Sequence, residues 1–335
     1  MTVTIGRREL LAALGGAAVA WSLAARAQQP ERMRRVGVLT GLPADYVQQQ
    51  AELAALTQQL QKLGWSDGRN IMIYYRSGAS DADQTWTSAK ELIELRPDVI
   101  VAHTTSAVSA LAQQTRAIPI VFVLVSDPVG NGFVENWTKP GGNITGFTDF
   151  EPPMAGKWME LLKQIAPRLA QVALLFNPET APGGGAVFLD PIEKAAPGFG
   201  LNWVPASVRN TDEIETICGV LGRQGATGVL VMPDVFTTAH REQIIALVAQ
   251  YRLPAVYAYR YFTTDGGLMS YGIEPTDQCR QAAEYVDRIL KGTPAGVLPI
   301  QAPTKFELVI NLKTAKAFGL DLPPMLLALA DAVVE

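Results

Sequence analysis

Short runs of β-branched and apolar residues alternate along this chain with longer stretches of helical periodicity, and the alternation occurs twice. Runs at 36–40, 71–75, 98–103 and 119–124 are separated by helical patterns at 44–63, 81–95 and 106–115. Parallel neighbours cannot be joined by a hairpin; they need a crossover, and a helix supplies it. The runs at 99–102 and 120–125 have no polar face, which suits a sheet covered by helices on both sides. A break rich in Gly, Pro and Asn follows at 127–130 and 140–143. The pattern then restarts, with strands at 171–176, 202–207, 228–232 and 255–259 and helices at 153–165, 188–195, 211–222 and 239–251. Strands at 268–271 and 306–310, a long helix at 275–290 and a helix at 314–318 complete it. The 335 residues are enough for two domains, and the fold class expected is α/β: two Rossmann-like lobes with parallel sheets flanked by helices.

Residues 1–27 read as a secretory leader. Arg7 and Arg8 supply the positive end, an apolar stretch runs from Leu10 to Ala25, and Ala25-Arg26-Ala27 makes a cleavage pattern. The Arg pair suits a twin-arginine signal, although Leu10 and Gly6 stand where such signals often carry Phe and Ser or Thr. No Cys lies near the cleavage point for a lipid anchor. The expected product is an exported, freely diffusing periplasmic protein.

Composition removes several function classes. The net charge is −4 with no run of five like charges, so there is no basic face for nucleic-acid phosphates. Cys218 and Cys279 cannot build a disulfide framework and read as small buried hydrophobes in separate lobes. With His103 and His240 far apart and no HExxH or CxxC, no metal site is expected. The first strand–helix turn, Thr40-Gly41-Leu42-Pro43, lacks GxGxxG; Walker A and GxSxG sequences are also missing. No cofactor and no catalytic residue is assigned.

In open α/β sheets, ligands sit beyond the carboxyl ends of the strands. The candidates are therefore the polar residues found there. Thr40 ends the first strand. Thr104, Thr105 and Ser106 open a helix whose amides suit an anionic group, or one of them simply caps it. Ser126 and Asp127 end the fourth strand, where Asp127 either pairs with a ligand ammonium or makes an Asx turn. Asn177 and Asp234 hold the equivalent strand ends of the second half. Tyr257, Tyr259 and Tyr261 share one face if their strand continues, as an aromatic wall for a ligand or as core beneath a helix. His103 is either a general base or a hydrogen-bonding partner, and His240 a solvated helix residue.

Several motifs carry a resemblance. These are Arg35-Val36-Gly37-Val38-Leu39, Gly64-Trp65 with Asp67-Gly68-Arg69-Asn70, Val125-Ser126-Asp127-Pro128-Val129 and Pro140-Gly141-Gly142-Asn143-Ile144-Thr145-Gly146. Gly266-Gly267-Leu268-Met269-Ser270-Tyr271-Gly272 and the segment from Phe306 to Lys316 belong with them. In this order the chain resembles the ABC transporter substrate-binding proteins of the tryptophan/tyrosine-binding type. The resemblance implies a type I periplasmic-binding fold, with one lobe from 34–146 plus 272–303 and the other from 147–271 plus 304–335. Crossings fall near 145–150, 270–272 and 302–306. It further implies a monomeric receptor that clamps an amino-acid-like small-molecule solute, aromatic ones among the candidates, and delivers it to an ABC permease in the inner membrane. The 104–106 loop, Ser126, Asp127, Asn177 and Asp234 would be its cleft loops. Two rival readings stay open. One is an exported enzyme using the cleft, with His103 and Asp127 or Asp234 as acid and base; the other is a receptor signalling to a membrane sensor. A repressor is excluded, because the leader occupies the place of a helix-turn-helix.

Overall fold

The computed structural model describes residues 32–335, so the leader expected at 1–27 lies outside the described residues. The chain begins with β1 (Arg34–Thr40), α1 (Val47–Lys62), β2 (Ile71–Ser77), α2 (Ala82–Glu94), β3 (Val99–His103), α3 (Thr105–Gln114), β4 (Ile120–Val125) and β5 (Ile144–Thr148). These strands form a parallel sheet in the order β2-β1-β3-β4-β5. Every β3 and β4 side chain is buried, as expected of strands covered on both faces. Gly146 lets β5 lie close to β4: a Cβ there would fall 2.2 Å from the Phe122 carbonyl oxygen.

The second lobe follows with α4 (Pro152–Ile165), β6 (Gln171–Phe176), α5 (Ala186–Ala195), β7 (Asn202–Ser207), α6 (Thr211–Gln224), β8 (Thr227–Val231), α7 (Val235–Ala239), α8 (Arg241–Gln250), β9 (Ala255–Tyr257), α9 (Arg260–Thr264) and β10 (Met269–Gly272). After α10 (Pro275–Leu290) come β11 (Glu307–Asn311), α11 (Leu312–Phe318), α12 (Pro324–Leu329) and β12 (Ala332–Val334). The second sheet runs β12-β11-β10-β9-β8-β6-β7, parallel except for the β10–β11 pair.

The α10 helix leaves the second sheet and packs on α1 and strands β3 to β5 of the first. Its buried stripe, Cys279, Ala282, Ala283, Val286 and Leu290, has helical spacing and covers that face. Trp65 Nε1 donates to Asp287 Oδ1 at 2.8 Å and anchors its far end. The chain then returns along β5, where Gln301 N donates to Gly146 O and Thr148 N donates to Gln301 O. It thus passes between the lobes after β5, after β10 and after Gln301. Cys218 and Cys279 are free and buried, in separate lobes.

Two expected elements differ. The 255–259 strand stops at Tyr257, and the chain turns directly into α9. The 239–251 helix is divided at His240, whose Nδ1 donates to Phe236 O at 2.9 Å and closes α7.

Trp158 of α4 is fully buried, packs against Phe150 at 5.5 Å between ring centroids and donates Nε1–H to Tyr271 O at 2.7 Å. Trp158→Ala is expected to cost about 3–5 kcal/mol in urea unfolding, through the cavity it opens. Trp158→Phe, which leaves the Tyr271 carbonyl without its donor, should cost about 1–3 kcal/mol. A Phe variant as stable as the parent would show that this hydrogen bond contributes nothing.

Candidate functional site

Both sheets present their carboxyl ends to one cleft, because β1 and β3 end in register at Thr40 and His103 and β6, β8 and β9 end opposite them. The cleft is narrow, with a cavity volume of about 30 Å³. Leu42, Leu124, Pro182 and Val235 supply apolar wall.

On the first lobe, Thr104 is held at φ +90°, a strained conformation for a side-chain-bearing residue, and it precedes α3 without capping it. Its Oγ1 pairs with Ser106 Oγ at 3.0 Å instead. The first amides of α3 therefore face the cleft with no side-chain acceptor, and the helix dipole makes that corner positive. Behind it, His103 Nε2 bonds Glu52 Oε2, both residues being buried.

Carboxylates dominate elsewhere. Asp149 lies on the crossing after β5; its Oδ1 accepts from Ser126 Oγ at 2.7 Å and its Oδ2 from Tyr259 Oη at 2.8 Å. Burial pushes its carboxyl above the usual range, against the pull of those donors. Asp234 caps α7 by accepting from Thr237 N at 2.9 Å. It also accepts from Thr180 Oγ1 at 3.1 Å and from Asn177 N at 3.1 Å. Burial nevertheless raises its carboxyl to about 6.

A clasp joins the lobes at the rim. Tyr46 Oη donates to Thr238 O at 2.8 Å and accepts from an Arg241 guanidinium nitrogen at 2.5 Å. That guanidinium lies 4.8 Å over the Tyr46 ring, while its Nε donates to Asp265 Oδ2 at 2.6 Å. Burial pushes the Tyr46 hydroxyl up to about 12, so it stays a neutral donor. Tyr259 and Tyr261 stack beside it at 5.3 Å.

Of the residues expected from sequence, Thr104, Thr105, Ser106, Asp234 and Tyr259 line this cleft. Ser126 and Asn177 stand behind it, bonded to Asp149 and Asp234. Three are placed elsewhere. Thr40 turns back to the carbonyls of Leu42 and Arg76. Asp127 takes φ +46°, accepts from Gly130 N at 2.8 Å and faces a separate hollow with Trp137 and Glu151. Tyr257 is wholly buried and stacks on Phe262 at 4.9 Å, because its strand ends there. Tyr46, Glu52, Asp149, Thr180 and Thr238 line the cleft without having been expected there. Among the described residues no cluster of His, Cys, Asp or Glu could hold a metal ion, and no helix is long and apolar enough to cross a membrane.

The Asp234 carboxyl is expected to titrate near pH 6 by carbon-13 NMR of the side chain, against about 4 for an ordinary carboxyl. Since the fold favours its protonated form, its stabilising contribution is full below about pH 4 and is lost as pH rises toward 6. A midpoint at or below 4 would show that its three donors outweigh burial.

Residues 44–334 match the family described as ABC transporter substrate binding protein. A tyrosine-binding protein of Clostridioides difficile (strain R20291) is 26% identical over 263 residues, 78% of this chain and 74% of that protein. An ABC domain from Streptococcus pneumonia, crystallised with L-Trp, superposes with a TM-score of 0.83 at 23% identity over 90% of this chain and 100% of its own. The ligand-free, open structure of a substrate-binding protein with adhesive properties from Clostridium difficile gives 0.67 at 24% identity, over 90% and 99%. Two helix-flanked, mostly parallel sheets facing one cleft make a type I periplasmic-binding fold, and this chain belongs to the ABC transporter substrate-binding protein family.

Proposed function

We propose that this chain is the periplasmic receptor of an ABC importer and binds an α-amino acid, aromatic ones foremost. The carrying observation is charge placement: the uncapped start of α3 and the Asp149 carboxyl line one cleft. A zwitterion matches that pair, its carboxylate on the α3 amides and its ammonium toward Asp149. Tyr46, Tyr259 and Tyr261 offer flat faces to an aromatic side chain. The tyrosine-binding relative and the L-Trp complex support the same class.

Closure is the second element of the reading. The lobes, 34–146 with 272–303 and 147–271 with 304–335, turn on three crossings, and the Tyr46–Arg241 clasp holds them shut. The higher TM-score with the L-Trp complex than with the open structure, at equal coverage, supports a closed arrangement. The receptor acts as an exported monomer and hands its solute to a membrane permease. An enzyme would need His103 to work with Asp127 or Asp234. Asp127 faces another hollow and Asp234 serves as the cap of α7 and the tie to Asn177 and Thr180, so the arrangement favours holding a solute over transforming it.

The mature chain, unfolded and refolded to release any carried solute, is expected to bind L-tyrosine or L-tryptophan at one site in titration calorimetry. At a hundred times Kd the ligand should add about 2.7 kcal/mol of stability. Silence across all twenty amino acids would overturn the reading. Arg241→Ala should weaken binding about ten-fold by releasing the clasp, and should raise the radius of gyration of the ligand-bound protein in solution scattering. An unchanged Kd would detach the clasp from closure.

A further inference from the structure

Among the described residues, seven buried side-chain polar atoms lack a hydrogen-bond partner, and only His103 Nδ1 belongs to a residue lining the ligand cleft. Polar atoms are rarely left so, and an orphan on a ligand-site wall is a place made for a ligand atom. The chemistry of this one follows from its surroundings. Nε2 of the same ring bonds the Glu52 carboxylate, which accepts only from a protonated nitrogen, so the ring proton is assigned to Nε2. In that tautomer Nδ1 carries the ring's lone pair, and with no partner in the protein it requires a donor.

We propose that His103 Nδ1 accepts a hydrogen bond from the ligand's α-ammonium, which makes the α-amino group the feature this receptor discriminates. The proposal rests on the amino-acid reading above. With the ligand carboxylate on the first amides of α3, the nitrogen one carbon away falls beside the end of β3, where His103 stands two residues ahead of that helix. An acid of identical shape without the amino group would leave Nδ1 orphaned and Asp149 facing apolar carbon, which such sites reject strongly. Glu52 is a positioning residue here: it fixes the ring and its tautomer. Asp149, Asp234, Tyr46, Tyr259 and Tyr261 are the other titratable groups lining the cleft.

The test compares L-tyrosine with 3-(4-hydroxyphenyl)propanoate, and L-tryptophan with indole-3-propanoate, by calorimetry. The parent protein should prefer each amino acid over its des-amino partner by at least about 100-fold. His103→Leu should cut that preference to about ten-fold or less, by weakening the amino acid and not its partner. Because His103→Leu strands a buried Glu52 charge, the double variant Glu52→Gln/His103→Leu is measured beside it, with circular dichroism to establish folding. The readout is a ratio of affinities, which a general loss of binding does not move. Equal affinity of the parent for both members of a pair, or an unchanged ratio in the folded double variant, would overturn this proposal and leave the amino-acid reading standing. Failure of the parent to bind any of the four compounds would remove both.

Discussion

The Asp149 carboxylate receives one hydroxyl from each half of the molecule, Ser126 from the first lobe and Tyr259 from the second, at the segment where the chain first crosses. A buried charge is tolerated only where such donors replace water. The lobes must therefore meet at this point in one geometry, and the strand ends around the cleft inherit their spacing from it. Asp234 acts similarly within the second lobe, tying the β6 loop to the start of α7. The cleft is thus framed by polar groups that hold one another in place, while the α3 amides and His103 Nδ1 have no side-chain partner.

That division explains what was readable in the chain beforehand. The two rounds of strand and helix were legible because crossover geometry is local and the apolar runs are long. Strand-end positions followed from topology, which is why Thr104, Ser106 and Asp234 were found. The direction of a side chain at a strand end is less accessible. Thr40 satisfies its hydroxyl on neighbouring carbonyls, and Tyr257 goes under α9 because the strand ends there, two residues short of Tyr259. Asp127 took the local alternative, an Asx turn.

Glu52 and Asp149 carried no local signal. Glu52 sits in a helix full of glutamine, and only the packing of α1 over β3 brings it to a histidine far along the chain. Asp149 stands at a crossing, where sequence periodicity has just ended. The sequence offered His103 as a base or a hydrogen-bonding partner, and the fold gives it Glu52 on one ring nitrogen.

The path of α10 bears on how the molecule is made. The first lobe owns residues from the start of the described chain, yet one wall of its core arrives only with 275–290, after most of the second lobe has been synthesised. Until then β3 to β5 keep an uncovered apolar face, and no early portion of the chain is a finished domain. Maturation is consequently a late, nearly simultaneous event for both halves. A nascent chain arrested anywhere before Leu290 presents bare sheet to its surroundings and depends on chaperones to shield it.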